Sequence, residues 1–300
     1  MSARMIHPGP RRAERALAVP AHLRPIEGTM PRGATVMQAV AQLFAAHHCF
    51  GGVLWLDGLV CAPMHFVLPA LSTDGLHAAW YSATHSPAGP VRIETATAMV
   101  GWRDGAPFLH CHGIWSDAEG TKAMGHLLPF DSVVAEDIRV RGLGSAEAGF
   151  VAREDAETAF ILFGPEARPD LVSVTAASAP QQSPSANGFF VRILPGEDVV
   201  TAIEALARTH GIVDADLHGI GSIDHVRFED GSRMDCLATE LRISAGHLRA
   251  GRAEIDIEVV DIHGTIASGR LMRGNNPVGV TLELLIAAPQ LSHITLEGKS

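Results

Sequence analysis

Cysteine is scarce in this sequence: Cys49, Cys61, Cys111 and Cys236 stand alone, with no CxxC spacing. That argues against a disulfide frame and for reduced thiols in a cytoplasmic protein. Long apolar runs are missing as well. None approaches the roughly 20 residues needed to span a bilayer, so no membrane partner is expected. The N-terminal stretch carries arginines but lacks the apolar core of a secretory signal. Positive charge is also in short supply, with a formal net charge of −10. A nucleic-acid binder ordinarily shows a basic stripe, because phosphate neutralisation supplies much of its affinity. Here only the opening residues lean basic, with Arg4, Arg11, Arg12, Arg15 and Arg24 against Glu14. Residues 1–24 are expected to form a mobile, solvated arm. Familiar catalytic signatures are absent too: there is no GxSxG, phosphate-binding loop or HExxH. Gly219-Ile-Gly221 lacks the third glycine and following helix of a dinucleotide loop and reads as a strand turn, and Ser222 has no visible base partner.

What is present suffices for two cores. The chain has 300 residues, 47% of them hydrophobic and 19% charged, which is long for one domain and comfortable for two. Residues 166–187, rich in Pro, Ser, Ala and Gln, have the composition of a linker.

The segments flanking that linker rhyme. After it comes an alternating strand, then Pro195-Gly196, then a helix whose apolar face carries Val199, Ile203, Leu206 and Ala207, with Asp198 as its N-cap. Before it, Pro31, Gly33 and Thr35 lead into a helix with Val36, Val40, Leu43 and Phe44 on one face. Further on, Asp117 to Gly125-His126 and Asp261 to Gly269-Arg270 share one spacing without a gap. A tandem duplication accounts for this most simply. Each unit has one early helix and many strands, which predicts an α+β fold with mostly antiparallel sheets. The expected domains are 25–165 and 188–300.

Three histidines stand out. His110 and His112, at i and i+2 on a predicted strand, point to one face, while Cys111 points to the opposite one. His126 follows on the next strand and lands beside them if the two pair as a hairpin. Three neutral imidazoles suit zinc and leave a fourth position for water, a carboxylate or a neighbouring subunit. Spacing alone is equally compatible with polar residues satisfied within a sheet.

Several stretches together resemble the plants-and-prokaryotes-conserved (PPC) domain family. They are Leu194-Pro-Gly-Glu-Asp198, Gly219-Ile-Gly-Ser222, Asp104-Gly-Ala-Pro-Phe-Leu-His-Cys-His112 and Met124-Gly-His-Leu127. The resemblance implies a sheet domain with a packed helix, commonly trimeric, and a divalent metal, zinc first, on His110, His112 and His126. In plant members the domain accompanies AT-hooks, but no Arg-Gly-Arg-Pro core occurs in this chain. DNA association is therefore an expectation by analogy, which the charge opposes.

The second half departs from the histidine pattern. Arg270 stands where His126 would fall, and Glu254-Ile-Asp-Ile-Glu258 brings carboxylates where HxH is expected. Asp256 matches either His110 or His112. An ion pair of Arg270 with Asp256 and Glu258 is expected in place of a metal. One metal site per chain follows.

Three readings result. The first is a metal-binding homo-oligomer, a trimer or dimer, whose site holds a small anionic ligand. The second is a DNA-associated regulator. The third is a metal-dependent hydrolase or lyase acting through bound water. Glu119 in the loop between the histidine strands is the first acid/base candidate. Glu136 and Asp137 are candidates for orienting a ligand histidine. His65, His77 and His85 read as surface residues, any one of which could add a ligand.

Overall fold

The structure, a computed structural model, describes residues 4–168 and 186–292. Most of the expected linker lies outside the described residues. In chain order the first part comprises β1 (Ala16–Ala21), β2 (Arg24–Met30), α1 (Val36–Ala46) and β3 (Gly51–Trp55). Four short strands follow: β4 (Val60–Cys61), β5 (Phe66–Val67), β6 (Pro69–Leu71) and β7 (Ala79–Tyr81). The long strands β8 (Val91–Arg103), β9 (Ala106–Ser116), β10 (Lys122–Leu127) and β11 (Ile138–Ser145) come next, then the hairpin of β12 (Ala148–Glu154) and β13 (Ile161–Ala167). The second part runs β14 (Gly188–Ile193), α2 (Val199–His210), β15 (Ala215–Ile223), β16 (Val226–Arg227) and β17 (Arg233–Met234). It ends with β18 (Thr239–Arg249), β19 (Arg252–Asp261), β20 (Ile266–Arg270), β21 (Val278–Ala287) and the short helix α3 (Pro289–Ser292). Among the described residues no helix is long and apolar enough to cross a membrane.

The fold is α+β and strand-rich, with mostly antiparallel sheets, as the periodicity predicts. One sheet is ordered β2-β11-β3-β8-β9-β10-β5 and the other β1-β14-β21-β15-β18-β19-β20. Starting from β2 and from β14 the order is the same: opening strand, closing strand, the strand after the helix, then three strands in succession. The β12–β13 hairpin leaves the first sheet, β12 pairing parallel with β8 through Phe150 and Val151.

Both helices form where the sequence predicts. Thr35 caps α1 in a reciprocal box with Gln38, and Asp198 Oδ1 accepts the Thr201 N–H at the start of α2. Each buries its apolar stripe on the outer face of its own sheet. Val40 and Phe44 of α1 pack with Leu54, Ala98, Leu109 and Cys111. Ile203 and Leu206 of α2 pack with Leu217, Leu241, Ile257 and Leu284.

The alternate residues of the same strands point the other way. Val53, Met99, Leu143 and Phe150 of the first part meet Phe190, Ile220 and Leu285 of the second in a third core. The layers are therefore helix, sheet, sheet, helix, with the inner sheet faces packed on each other. Strand β21 is accordingly buried at every residue. Close approach also explains two glycines: a Cβ on Gly221 would lie 2.3 Å from the Thr281 carbonyl oxygen, and one on Gly219 2.6 Å from that of Glu283. Gly219–Ser222 therefore belong to a strand, not to a turn. Ser222 Oγ accepts the Val280 N–H at 2.7 Å.

The mobile arm is also corrected. Residues Ala16–Ala21 form β1, paired along its length with β14 of the second sheet. Upstream, Arg15 reaches Glu157 of the first part and Glu197 of the second, and His7 Nε2 lies 2.8 Å from the Gly279 carbonyl. Nonlocal ion pairs and backbone pairing hold this segment down.

Candidate metal centre

His110 and His112 lie on β9 with their rings on the inner face, and His126 on β10 is registered directly opposite His112. Gly125, just before it, lies under β5, where a Cβ would come within 2.5 Å of the Val67 carbonyl oxygen. Cys111 points outward into the core beside α1, where burial pushes its thiol far above the usual range. The three histidines each offer a nitrogen within 4.8 Å of the others, and His110 Nε2 lies 3.0 Å from His112 Nε2.

The second part of the chain covers this cluster. His112 Nδ1 donates to the Leu241 carbonyl at 2.9 Å, and His110 Nδ1 lies 2.8 Å from Glu283 Oε2. A carbonyl only accepts, so His112 carries its proton on Nδ1; the Glu283 carboxylate assigns the same tautomer to His110. Both Nε2 lone pairs then face each other. His126 Nδ1 is buried with no hydrogen-bond partner among the described residues. Burial, reinforced by the neighbouring imidazoles, holds His112 and His126 well below the usual histidine range. They stay neutral at pH 7, the protonation state a metal ligand needs.

Two adjoining spaces border the cluster. One is a small cavity of about 60 Å³ bordered by His110, His112, Tyr81 and Glu240. Glu240 is buried, one of its oxygens is 3.9 Å from His112 Nε2, and burial pushes its carboxyl well above the usual range. The other, a cleft of about 550 Å³, is bordered by His110, His126, Trp80, Tyr81, Arg103 and Phe108. Tyr81 sits edge-on to His126, ring centres 5.3 Å apart.

The other sequence candidates lie elsewhere. Glu119 is exposed in the turn joining β9 and β10, seven residues from His112 and so about 23 Å away along an extended chain. Glu136 and Asp137 are exposed, and Asp137 accepts the Arg32 N–H. Their proximity to His126 in sequence is undone by the chain leaving the strand after Leu127. His65 bonds Ser86, His85 stacks on Phe66, and His77 lies at the cleft, bonded to Asp74. Sequence reasoning missed Glu240, Leu241 and Glu283. Their one signal was acidic residues at alternate, otherwise apolar strand positions, which is how a second buried face reads.

In the second half Arg270 pairs with Asp256 through two bonds of 3.0 and 2.8 Å and reaches Glu254 at 2.7 Å. The register Asp256↔Arg270 repeats His112↔His126, so Asp256 stands at the His112 position and Glu254 at that of His110. Glu258 is corrected. It bonds Arg242, which also donates to Thr95 and Thr97 of the first sheet.

Residues 181–289 match the family model of the Plants and Prokaryotes Conserved (PCC) domain. The matched segment is thus the half that lacks the histidine trio. No curated protein matches the chain. Among solved structures, a plant- and prokaryote-conserved protein from Pyrococcus horikoshii is 15% identical, with a TM-score of 0.37 over 46% of this chain and 91% of that one. A metal-containing protein from Archaeoglobus fulgidus is 15% identical, TM-score 0.36, over 47% and 92%. A protein from Ralstonia eutropha JMP134 named as a candidate DNA-binding protein is 18% identical, TM-score 0.35, over 46% and 89%.

Proposed function

We propose that the chain is a metal-binding protein of two tandem PPC-type domains, in which His110, His112 and His126 hold one divalent ion, zinc first. The observation that carries this reading is the pair of Nε2 atoms 3.0 Å apart with both Nδ1 atoms committed elsewhere. Two facing lone pairs repel each other, and a cation between them turns that repulsion into ligation. The cleft beside the cluster, lined by Arg103 and aromatic rings, suits a small anion with an apolar body.

The shared strand order supports a duplication whose second copy exchanged its histidines for the Arg270–Asp256–Glu254 ion-pair set. The domain boundaries of this reading are close to 24–167 and 188–287, with β1 crossing to the second sheet. Cytoplasmic location remains part of the proposal, resting on four free thiols. Apolar composition alone no longer argues for a homo-oligomer, because the inner faces cover each other within one chain. A trimer or dimer would now rest on the open strand edges.

A hydrolase or lyase would need an acid or base other than Glu119, Glu136 or Asp137. The DNA-associated reading comes from the name of a distant relative and is opposed by the net charge of −10.

The test is metal content by mass spectrometry on untagged protein. Wild type is expected to carry close to one zinc per chain and His112→Ala essentially none. Equal, substoichiometric metal in both would refute the site.

A further inference from the structure

We propose that the metal centre is built by both halves of the chain, with the Glu240 carboxylate of the second half as a fourth protein ligand. This inference rests on the three-histidine reading and extends it to a residue 114–130 positions away in sequence. Glu240 is the second residue of β18 and is 5% exposed. Its Oε1 lies 3.9 Å from His112 Nε2, and its Oε2 is buried without a hydrogen-bond partner among the described residues. A buried carboxylate with an unsatisfied oxygen is costly, and buried charges are ordinarily paired or bound to metal.

The spacing from His112 suits ligation. A tetrahedral ion with arms of about 2.1 Å has edges of roughly 3.4 Å. The observed separations, 3.0 Å from His112 Nε2 to His110 Nε2 and 3.9 Å to Glu240 Oε1, bracket that edge. Three imidazoles and a carboxylate form a nitrogen–oxygen donor set suited to zinc and to its spectroscopic substitute cobalt(II). The groups that orient the ligands come from the same half, Glu283 for His110 and the Leu241 carbonyl for His112. A divalent ion held by one carboxylate keeps a net positive charge. Four protein ligands complete the tetrahedron, so an anion drawn by that charge and by Arg103 binds in the cleft beside the ion rather than on it.

The experiment uses the untagged full chain, stripped by a chelator and titrated with cobalt(II). Wild type, Glu240→Gln and His112→Ala are compared by visible absorption and by thermal unfolding of the metal-free forms. Wild type is expected to bind one cobalt with visible d–d bands. Glu240→Gln is expected to bind at least about 100-fold more weakly with shifted bands, while its metal-free form unfolds at a temperature no lower than wild type. Unchanged affinity and spectrum in Glu240→Gln would overturn the role of Glu240 and leave the histidine site standing. A metal-free Glu240→Gln that unfolds well below wild type would make Glu240 a structural group and equally overturn the inference. Wild type that takes up no cobalt would remove the three-histidine reading itself.

Discussion

At the scale of single residues, Asp224 shows how burial becomes a pH response. It is 2% exposed, one oxygen accepts the Met5 N–H at 3.1 Å, and the other has no partner among the described residues. Burial raises its pKa to about 6, a rise the Met5 hydrogen bond moderates. Between pH 4 and 6 the native chain holds a proton that the unfolded chain has released, so stability falls as pH rises through that window. Relative to wild type, Asp224→Asn should gain roughly 2 kcal/mol between pH 4 and pH 7. Denaturant titrations at both pH values measure this, and equal offsets at the two would contradict it. Legibility in sequence divides at this same scale. The three histidines were readable because alternation assigns their face and a hairpin brings them level. Glu240 and Glu283 were not, since alternation says that a face is buried without saying what buries it. The Asp256 alignment was likewise open until the β19–β20 register resolved it.

Among elements, the two helices offer a matched comparison. Both were legible from apolar spacing, α2 also from its capping Asp198, and both lie over the outer face of their own sheet. Their caps nevertheless carry different loads. Among the described residues the Thr35 hydroxyl bonds only the Gln38 N–H, whereas the Asp198 carboxylate also accepts the Asn276 N–H at 2.9 Å through its second oxygen. Thr35→Ala should therefore cost about 1 kcal/mol, the usual worth of a cap. Asp198→Ala should cost about 2 kcal/mol or more, because it also strips the partner from an N–H beside a fully buried Asn276. Chemical denaturation of the two variants checks the ranking, and equal costs would show that the Asn276 contact contributes nothing. Strand β1 was not legible as an element. Its sequence, ALAVPA, is short, contains a proline and follows a cluster of arginines. What makes it a strand is an open edge on β14, supplied by a segment about 170 residues downstream.

For the whole molecule, the decisive arrangement is the packing of one inner face on the other. Phe150 of the first part and Phe190 of the second are both fully buried and meet edge-to-face at 5.1 Å. Phe150→Ala and Phe190→Ala should each cost about 3–5 kcal/mol. The double variant should cost less than their sum by roughly 1 kcal/mol, the coupling of an aromatic pair. Strict additivity would mean that the two halves do not sense each other there. The same arrangement bears on assembly. The second half of the chain travels with the first as a tethered neighbour, at an effective concentration in the millimolar range for short flexible connections. A site drawn from both halves therefore does not come apart on dilution, as one shared between separate subunits would. Metal occupancy should then be as complete in nanomolar protein as in a concentrated stock, provided free metal is held constant.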